Sequence, residues 1–248
     1  MDCLEGLKLL DDNCIDLTVT SPPYDNLRTY NGFSFDFENI AKELYRVTKQ
    51  GGVVVWVVGD QTINGSESGT SFRQVLYFKE IGFNLHDTMI YEKNSSTFPS
   101  NDNSTRYTQI FEYMFVLTKG KPTTSNLIKD KENKWYGSKD FSGKLKKTVP
   151  KYSPRTNIWR YVTSFDDTNE HPAPFPQELA NDHILSWSNS GDLVLDPFMG
   201  SGTTAKMAIV NDRKWIGFEI SKEYCEIIEK RISGLYPQLN IFDIGDEQ

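Results

Sequence analysis

The sequence has few cysteines and no long apolar run. Cys3, Cys14 and Cys225 show no C-x-x-C spacing, which excludes a disulfide framework and a cysteine-ligated zinc site. No stretch of about 18 apolar residues could span a membrane, and the N-terminus lacks the charged-then-apolar pattern of a signal peptide. We therefore expect a cytoplasmic protein that has no membrane contact and holds no metal.

Basic residues are a minority, and the formal net charge of −7 argues against a protein whose whole surface binds nucleic acid. Their distribution is uneven, however. Between Lys119 and Arg160 the chain has 12 Lys and Arg against 3 acidic residues, a local balance of +9 that leaves −16 for the rest. Such asymmetry is typical of a basic insertion that faces phosphates from an acidic body. A solvated, lysine-rich loop is the alternative.

Strand and helix patterns alternate through the first 119 residues. The predicted elements are a strand at 15–21, a helix at 36–50 that is ended by Gly51-Gly52, a strand at 53–58, a helix at 71–81, and strands at 84–93 and 109–119. The run at 53–58 is continuously apolar, which is typical of a strand buried on both faces. The alternation predicts an α/β fold with a doubly wound, mostly parallel sheet.

Two prolines end the first predicted strand, in the sequence Thr20-Ser21-Pro22-Pro23-Tyr24. Each proline fixes φ and lacks a backbone N–H, so the strand cannot continue. What remains is a stiff platform with one hydroxyl, outward-facing carbonyl groups and one aromatic ring. This set suits a planar amino group, since the oxygens accept its N–H bonds while the ring stacks on the attached base. A proline-capped strand end without chemistry is the alternative.

The strongest motif is Asp196-Pro197-Phe198-Met199-Gly200-Ser201-Gly202-Thr203-Thr204, which follows an apolar strand pattern. Glycines here let a ligand approach backbone N–H groups at a helix N-terminus. A Walker loop would need Gly-Lys-Ser/Thr and a dinucleotide loop G-x-G-x-x-G, and neither is present. Asp196 at the strand end suits the ammonium of an amino acid. About 20 residues on, Glu219 ends another predicted strand, where a carboxylate can accept both ribose hydroxyls.

These motifs, in this order, resemble the β-group of bacterial DNA amino-methyltransferases, in which the catalytic half precedes the cofactor half. The resemblance spans nearly the whole chain outside residues 120–161. It implies a Rossmann-like, S-adenosylmethionine-dependent methyltransferase fold with a circularly permuted motif order. The predicted division is a catalytic half over 1–118, an inserted target-recognition region over 119–165 and a cofactor-binding half over 166–248.

The resemblance also assigns roles to residues of this chain. The catalytic residues would be Ser21, Pro22, Pro23 and Tyr24. Asp2 would reach the adenine ring of the cofactor, and Phe175-Pro176 would line its methionine end. The full predicted S-adenosylmethionine site is Asp2, Phe175, Pro176, Asp196, Pro197, Phe198, Gly200, Ser201, Gly202, Thr203 and Glu219. From their charge and position, the candidate DNA contacts are Arg28, Lys144, Lys146, Lys147 and Arg155.

The implied activity is transfer of a methyl group from S-adenosylmethionine to the N4 amino group of cytosine in a specific DNA sequence. Ser21 favours cytosine, because adenine N6 enzymes mostly carry Asp or Asn at that place. N6-adenine methylation is the alternative, and a catalytically silent DNA-binding protein of the same fold is a further one. No cysteine follows a proline, so the nucleophile of cytosine C5-methyltransferases is absent.

The expected partner is double-stranded DNA with the target base flipped out of the duplex. A cognate restriction endonuclease is a further possible partner in a restriction-modification pair. At this point either a monomer or a homodimer is compatible with the sequence.

The chain departs from the pattern of the family at its start, because no strand precedes Asp2. The C-terminal residues 239–244 read Leu-Asn-Ile-Phe-Asp-Ile. We hypothesise that they supply this strand beside the N-terminus, so that Asp2 completes the adenine pocket. A chain truncated at its start is the alternative.

Overall fold

The computed structural model describes residues 1–23, 35–94, 105–138, 148–162 and 176–235. In chain order, its elements are α1 (Cys3–Lys8), β1 (Ile15–Thr20), α2 (Phe37–Val47), β2 (Thr48–Val58), β3 (Thr62–Ile63), β4 (Ser66–Glu67), α3 (Thr70–Glu80), β5 (Asn84–Lys93), β6 (Phe111–Thr118), β7 (Lys131–Glu132), β8 (Tyr152–Ser153), β9 (Ile158–Tyr161), α4 (Gln177–Trp187), β10 (Leu193–Asp196), α5 (Thr203–Val210), β11 (Lys214–Gly217) and α6 (Lys222–Ser233). None of the helices in these ranges is long and apolar enough to cross a membrane.

The central sheet has seven strands in the order β11-β10-β1-β2-β6-β5-β9. The strands β11, β10, β1 and β2 are parallel, β6 runs antiparallel to both of its neighbours, and β9 pairs in parallel with β5. The predicted mostly parallel sheet is thus confirmed. From the central pair β1 and β10, the chain winds outward in opposite directions. Such a switch point opens a crevice at the carboxyl ends of the strands, which we call the carboxyl edge.

Helices cover both faces of the sheet, and β2 packs against helices on each face. Its residues Val53–Val58 are almost completely buried. The odd-numbered residues of this run pack in the same core cluster as α4 and α5, and the even-numbered ones pack in the cluster that holds α1, α2 and α3. Successive side chains of a strand point to opposite faces of the sheet. A continuously apolar strand is therefore stable only where helices bury both faces.

The helix predicted over 36–50 ends earlier than expected, and the prediction that Gly51-Gly52 terminates it is wrong. α2 ends at Val47, where the Thr48 hydroxyl donates to a carbonyl of the last helical turn at 2.6 Å. β2 begins at Thr48 and contains Gly51, whose φ of +83° is a left-handed value that favours glycine. Gly51 donates its N–H to the Lys119 carbonyl at 2.7 Å, so this glycine serves strand pairing.

The region predicted as a target-recognition insertion, 119–165, is only partly separate from the sheet. β7 and β8 form a two-stranded ribbon of their own. β9, by contrast, is the seventh strand of the central sheet, and its Trp159 and Tyr161 are buried in the core. In β9 two buried aromatic residues alternate with two exposed residues. An alternation over only four positions is too short to predict a strand from sequence. The three-part division of the chain stays a prediction.

The hypothesised C-terminal strand at 239–244 lies outside the described residues. Within the described ranges β11 pairs with β10 on one side only. The other edge of β11 is the position at which the hypothesis puts the additional strand, which stays a prediction.

Arg46 of α2 connects α1 to the rest of the fold. Its guanidinium donates to the carbonyl oxygens of Leu7 and Leu10 at 2.9 and 2.8 Å. It also pairs with Asp12 at 2.6 Å and with Glu43 at 2.7 Å. One side chain therefore adds donors to two carbonyl groups at the carboxyl end of α1, where helical backbone bonds run out.

We expect Arg46→Ala to lower the free energy of unfolding by about 1–3 kcal/mol, because it removes a charged donor from two partly buried carbonyl groups and leaves Asp12 and Glu43 without their partner. Urea denaturation measures the loss. Lys42→Ala removes an exposed side chain of the same helix and should change stability by less than about 0.5 kcal/mol. Equal effects of the two substitutions would contradict the connecting role of Arg46.

Candidate active site

The carboxyl ends of β1 and β10 meet at the switch point of the sheet. Thr20 is the last residue of β1 and Asp196 the last of β10, and Thr20 Oγ1 donates to Asp196 Oδ1 at 2.7 Å. Close by, the Thr204 hydroxyl of α5 donates to the Val19 carbonyl at 3.2 Å. Two motifs that lie 176 residues apart are thus joined by direct hydrogen bonds.

The proline platform follows Thr20 directly. Ser21 and Pro23 are half-buried and Pro22 is buried. Because Thr20 is bonded to Asp196, the platform begins one residue from the carboxylate that ends β10. Tyr24, which the sequence predicts as the stacking ring, lies outside the described residues.

Asp196 is a buried acid. Burial raises its pKa to about 6, although hydrogen bonds from Thr20, from the Phe198 backbone N–H at 3.0 Å and from Thr204 favour the charged form. Among the ion pairs of the described residues, none involves Asp196. A buried carboxylate without a counter-ion is stabilised by a cation that enters beside it, and an ammonium group meets that need.

The turn between β10 and α5 is held by its own backbone and depends on glycine. Met199 donates its N–H to the Phe218 carbonyl at 3.0 Å, and Gly202 donates to the Met199 carbonyl at 2.8 Å. Gly202 is the N-cap of α5 with a φ of +81°, and a Cβ there would lie 3.0 Å from Ile228. Gly202 has no side chain to cap the first N–H groups of α5, where partial positive charge favours an anionic ligand group. The predicted cofactor residues of this turn are Pro197, Phe198, Gly200, Ser201, Gly202 and Thr203.

Glu219 lies two residues after β11 and contacts the same turn. Its Oε2 accepts the Gly200 N–H at 2.9 Å, and its Oε1 accepts the N–H groups of Ile220 and Ser221 at 2.9 and 2.8 Å. These three bonds fix the carboxylate in place and leave Oε2 with a lone pair that can accept a hydroxyl. The structure thus brings Glu219 and the glycine turn together as the sequence predicts.

Arg231 of α6 is a further part of this site that no sequence motif marks. Its Nη1 lies 3.0 Å from the Ser201 carbonyl oxygen, 3.0 Å from Ser201 Oγ and 3.2 Å from Thr203 Oγ1. A single arginine in an amphipathic helix has no spacing that reveals its partner. Thr20 and Thr204 were also outside the predicted set, but each adjoins a motif, and that position is a usable signal.

Asp2 and Pro176 lie where two helices begin. Asp2 is the N-cap of α1 and accepts two backbone N–H groups of that helix. The neighbouring Met1 ammonium donates to the Glu219 carbonyl at 2.6 Å, so the fold brings Asp2 to the Glu219 side of the site. Pro176 is the N-cap of α4, and Phe175 lies outside the described residues.

Arg155, a predicted DNA contact, is engaged within the protein. Its guanidinium pairs with Asp130 and Asp182, each at 2.6 Å, and lies 5.2 Å from the centre of the Trp159 ring. Arg155 thus has a structural role, and its predicted DNA contact stays a prediction. The other candidate DNA contacts, Arg28, Lys144, Lys146 and Lys147, lie outside the described residues.

Comparison with known proteins places this site in a family. A family model described as DNA methylase matches residues 15–230. The orphan methyltransferase M.BamHII of Bacillus amyloliquefaciens is 59% identical over 242 residues, which cover 90% of this chain and 90% of the relative. The Type II methyltransferase M.BglII of Bacillus subtilis is 26% identical over 258 residues, which cover 97% of this chain and 70% of the relative.

Solved structures show the same fold. The PvuII DNA methyltransferase, described as cytosine-N4-specific, has a TM-score of 0.73 at 23% identity, with 97% of this chain and 86% of that chain covered. The M1.HpyAVI–SAM complex has a TM-score of 0.66 at 24% identity, with 94% and 96% covered. With the family match extending over most of the sequence, the chain belongs to the DNA methylase family of N6- and N4-amino-methyltransferases.

Proposed function

We propose that this DNA methyltransferase transfers a methyl group from S-adenosylmethionine to N4 of cytosine within a specific DNA sequence. The observation that carries the proposal is the hydrogen bond between Thr20 and Asp196. It supports a reaction in which an amino group on the proline platform meets a cofactor held at the end of β10. Ser21, at the first position of the platform, favours cytosine over adenine.

Several residues of the crevice fit S-adenosylmethionine, which supplies a methyl group activated by its sulfonium centre. Asp196 would hold the ammonium, since it is buried and has no counter-ion in the described part of the chain. The uncapped N–H groups of α5 would face the carboxylate, and Glu219 would accept the ribose hydroxyls. Asp2 would contact the adenine ring, and Phe175-Pro176 would line the methionine end.

The proline platform would act on the target base by positioning it. An exocyclic amino nitrogen is a weak nucleophile because its lone pair is delocalised into the ring. Ser21 Oγ and the Pro22 carbonyl would accept its two hydrogens, which localises the lone pair and orients it. The surplus proton leaves to water, so no side chain with a tuned pKa is needed. Stacking on Tyr24 would offset part of the few kcal/mol that base flipping costs.

Two alternatives use the same residues. An N6-adenine methyltransferase would hold the adenine amino group on the same platform. A catalytically silent DNA-binding protein would keep the fold without turnover, but the direct bond between the two half-sites favours an enzyme.

The expected biological setting also stays a proposal. The 59% identical relative is described as an orphan methyltransferase, a term for an enzyme without a partner endonuclease, whereas the more distant M.BglII is described as a Type II enzyme. A partner restriction endonuclease for this chain is therefore a proposal that the Type II description supports and the orphan description does not. Location in the cytoplasm, and the choice between monomer and homodimer, are likewise expectations.

Mass spectrometry of nucleosides tests the proposed reaction. DNA of mixed sequence is incubated with the protein and S-adenosylmethionine and then digested. We expect N4-methylcytosine, because Ser21 stands at the first position of the platform. N6-methyladenine would keep the site but contradict the assignment of the base. Absence of any methylated nucleoside, with cofactor binding intact, would support the silent DNA-binding alternative.

Ser21→Ala should lower the rate of methyl transfer by about 10- to 1,000-fold, because it removes one oriented acceptor from the transition state. The cofactor Kd should stay the same, since Ser21 contacts the base. Tyr24→Ala should weaken binding of the flipped base and slow methylation further. Single-turnover kinetics with a radioactive methyl group measures both. Unchanged rates in both variants would overturn the assignment of the platform.

Cofactor affinity should fall at acid pH. Asp196 must be ionised to pair with an ammonium, and its pKa in the free protein is about 6. Below that pH the Kd should rise about tenfold per pH unit. Calorimetric titration from about pH 5 to about pH 8 measures the slope. Asp196→Asn should bind weakly and without this slope, whereas a wild-type Kd that is constant over the range would contradict the role of Asp196.

The same carboxylate should make the cofactor-free protein less stable as pH rises, whereas it makes cofactor binding stronger. Because the folded pKa of Asp196 lies above the ordinary 3.8, its stabilising contribution is complete below about pH 4 and is lost as pH rises through 6. We therefore expect the free energy of unfolding of Asp196→Asn to exceed that of wild type by about 1–2 kcal/mol near pH 8, and to be nearly the same as wild type near pH 4. Urea denaturation at the two pH values measures the difference. A variant that is less stable at pH 8 would contradict this.

A further inference from the structure

β7 and β8 are short, but backbone hydrogen bonds continue their ribbon beyond the two strands. Beyond the pair Glu132 and Tyr152, Asn133 donates its N–H to the Lys151 carbonyl at 2.9 Å. Further out, Gly137 donates to the Val149 carbonyl at 3.1 Å, and Val149 donates to the Ser138 carbonyl at 3.0 Å. The ribbon is thus a hydrogen-bonded element that extends to Ser138 and Val149, and most of its residues between 129 and 137 are exposed.

A closed turn at residues 133–138 presents two aromatic rings to solvent. Tyr136 donates its N–H to the Asn133 carbonyl at 3.2 Å, and the Ser138 hydroxyl donates to the Trp135 carbonyl at 2.6 Å. Gly137 has a φ of +79°, which lets the chain reverse there. Trp135 is 74% exposed and Tyr136 is 65% exposed. Two large rings held in water by an ordered turn are typical of a contact surface.

The surroundings of this turn are basic. The exposed lysines on the ribbon and its approach are Lys129, Lys131, Lys134 and Lys151. Of the acids nearby, Asp130 is paired with Arg155, and Glu132 is exposed. Lys151 Nζ lies 5.2 Å over the Tyr152 ring. Aromatic rings among lysines suit a polyanion that also offers flat surfaces for stacking, which describes nucleic acid.

The chain approaches the ribbon along α4, in the direction of the carboxyl edge. Asn126 binds the carbonyl of Ser186 at the carboxyl end of α4, while Asp130 is tied through Arg155 to Asp182, one turn earlier in that helix. α4 leads into the amino end of β10, so its own amino end lies at the carboxyl edge. The chain therefore enters the ribbon travelling toward the edge that holds Ser21 and Asp196.

We propose that the Trp135–Tyr136 turn binds the duplex DNA that flanks the flipped base. The lysines of the ribbon contact phosphates, and the Trp135 ring stacks on or wedges between base pairs. This inference rests on the proposed function, because the partner is the same DNA. It assigns the contact to residues that no sequence motif marks, and to a side chain that is useful as a spectroscopic probe.

The test is binding of a labelled duplex of about 30 base pairs that the protein methylates, over a range of salt. We expect Trp135→Ala to weaken binding by about 5- to 100-fold with the salt slope unchanged, and Trp135→Phe by a smaller factor. Lys134→Ala should lower the salt slope by about 1. Unaltered thermal unfolding of each variant would show that the fold is intact. A Trp135→Ala variant with wild-type affinity would overturn the proposal.

Tryptophan fluorescence gives a second readout. Of the five tryptophans, Trp56, Trp159 and Trp187 are buried and Trp215 is half-buried, so the exposed Trp135 should dominate the change on binding. Duplex DNA should quench wild-type emission, and Trp135→Phe should abolish most of that quenching. Quenching by single-stranded RNA but not by the duplex would overturn the proposal. Methyl transfer by wild type to genomic DNA is scored separately, so a failure of this contact is distinguishable from a failure of the proposed function.

Discussion

The hydrogen bond between Thr20 and Asp196 depends on the whole architecture and makes the active site possible. It forms because β1 and β10 are parallel neighbours whose ends coincide, although they lie 176 residues apart in sequence. Neither strand alone forms the proposed site, because Ser21 follows β1 and Asp196 ends β10. The doubly wound sheet brings the two ends together at its switch point, where such folds leave a crevice.

A cost in stability accompanies this arrangement. Asp196 is desolvated without a cation beside it in the described residues, which opposes folding when the carboxylate is charged. The turn between β10 and α5, by contrast, is held by two side chains from other elements. Glu219 binds the turn from β11 and Arg231 binds it from α6, so the loop is fixed before any ligand arrives. A preorganised loop loses less entropy on binding.

Local patterns predicted the longer helices and strands of the sheet and marked the motifs that the structure brings together at the carboxyl edge, because the apolar run of β2 and the glycine turn have local causes. Contacts between distant segments escaped prediction. Gly51 looked like a helix stop, but its conformation is set by pairing with Lys119. Arg155 looked free to meet a phosphate, but Asp130 and Asp182 take its donors. In each case the deciding partner lies far away in the sequence, and only the fold identifies it.

The placement of β1 next to β10 also governs how the chain is made. On the ribosome, β1 emerges early, and one of its edges must wait for β10, which is synthesised near the end. Until then an apolar strand edge is unpaired, which is a template for association with other chains. Contacts of such long sequence separation form slowly. The segments that hold β1 and β10 therefore depend on each other for folding, because the centre of the sheet closes only when both strands are present.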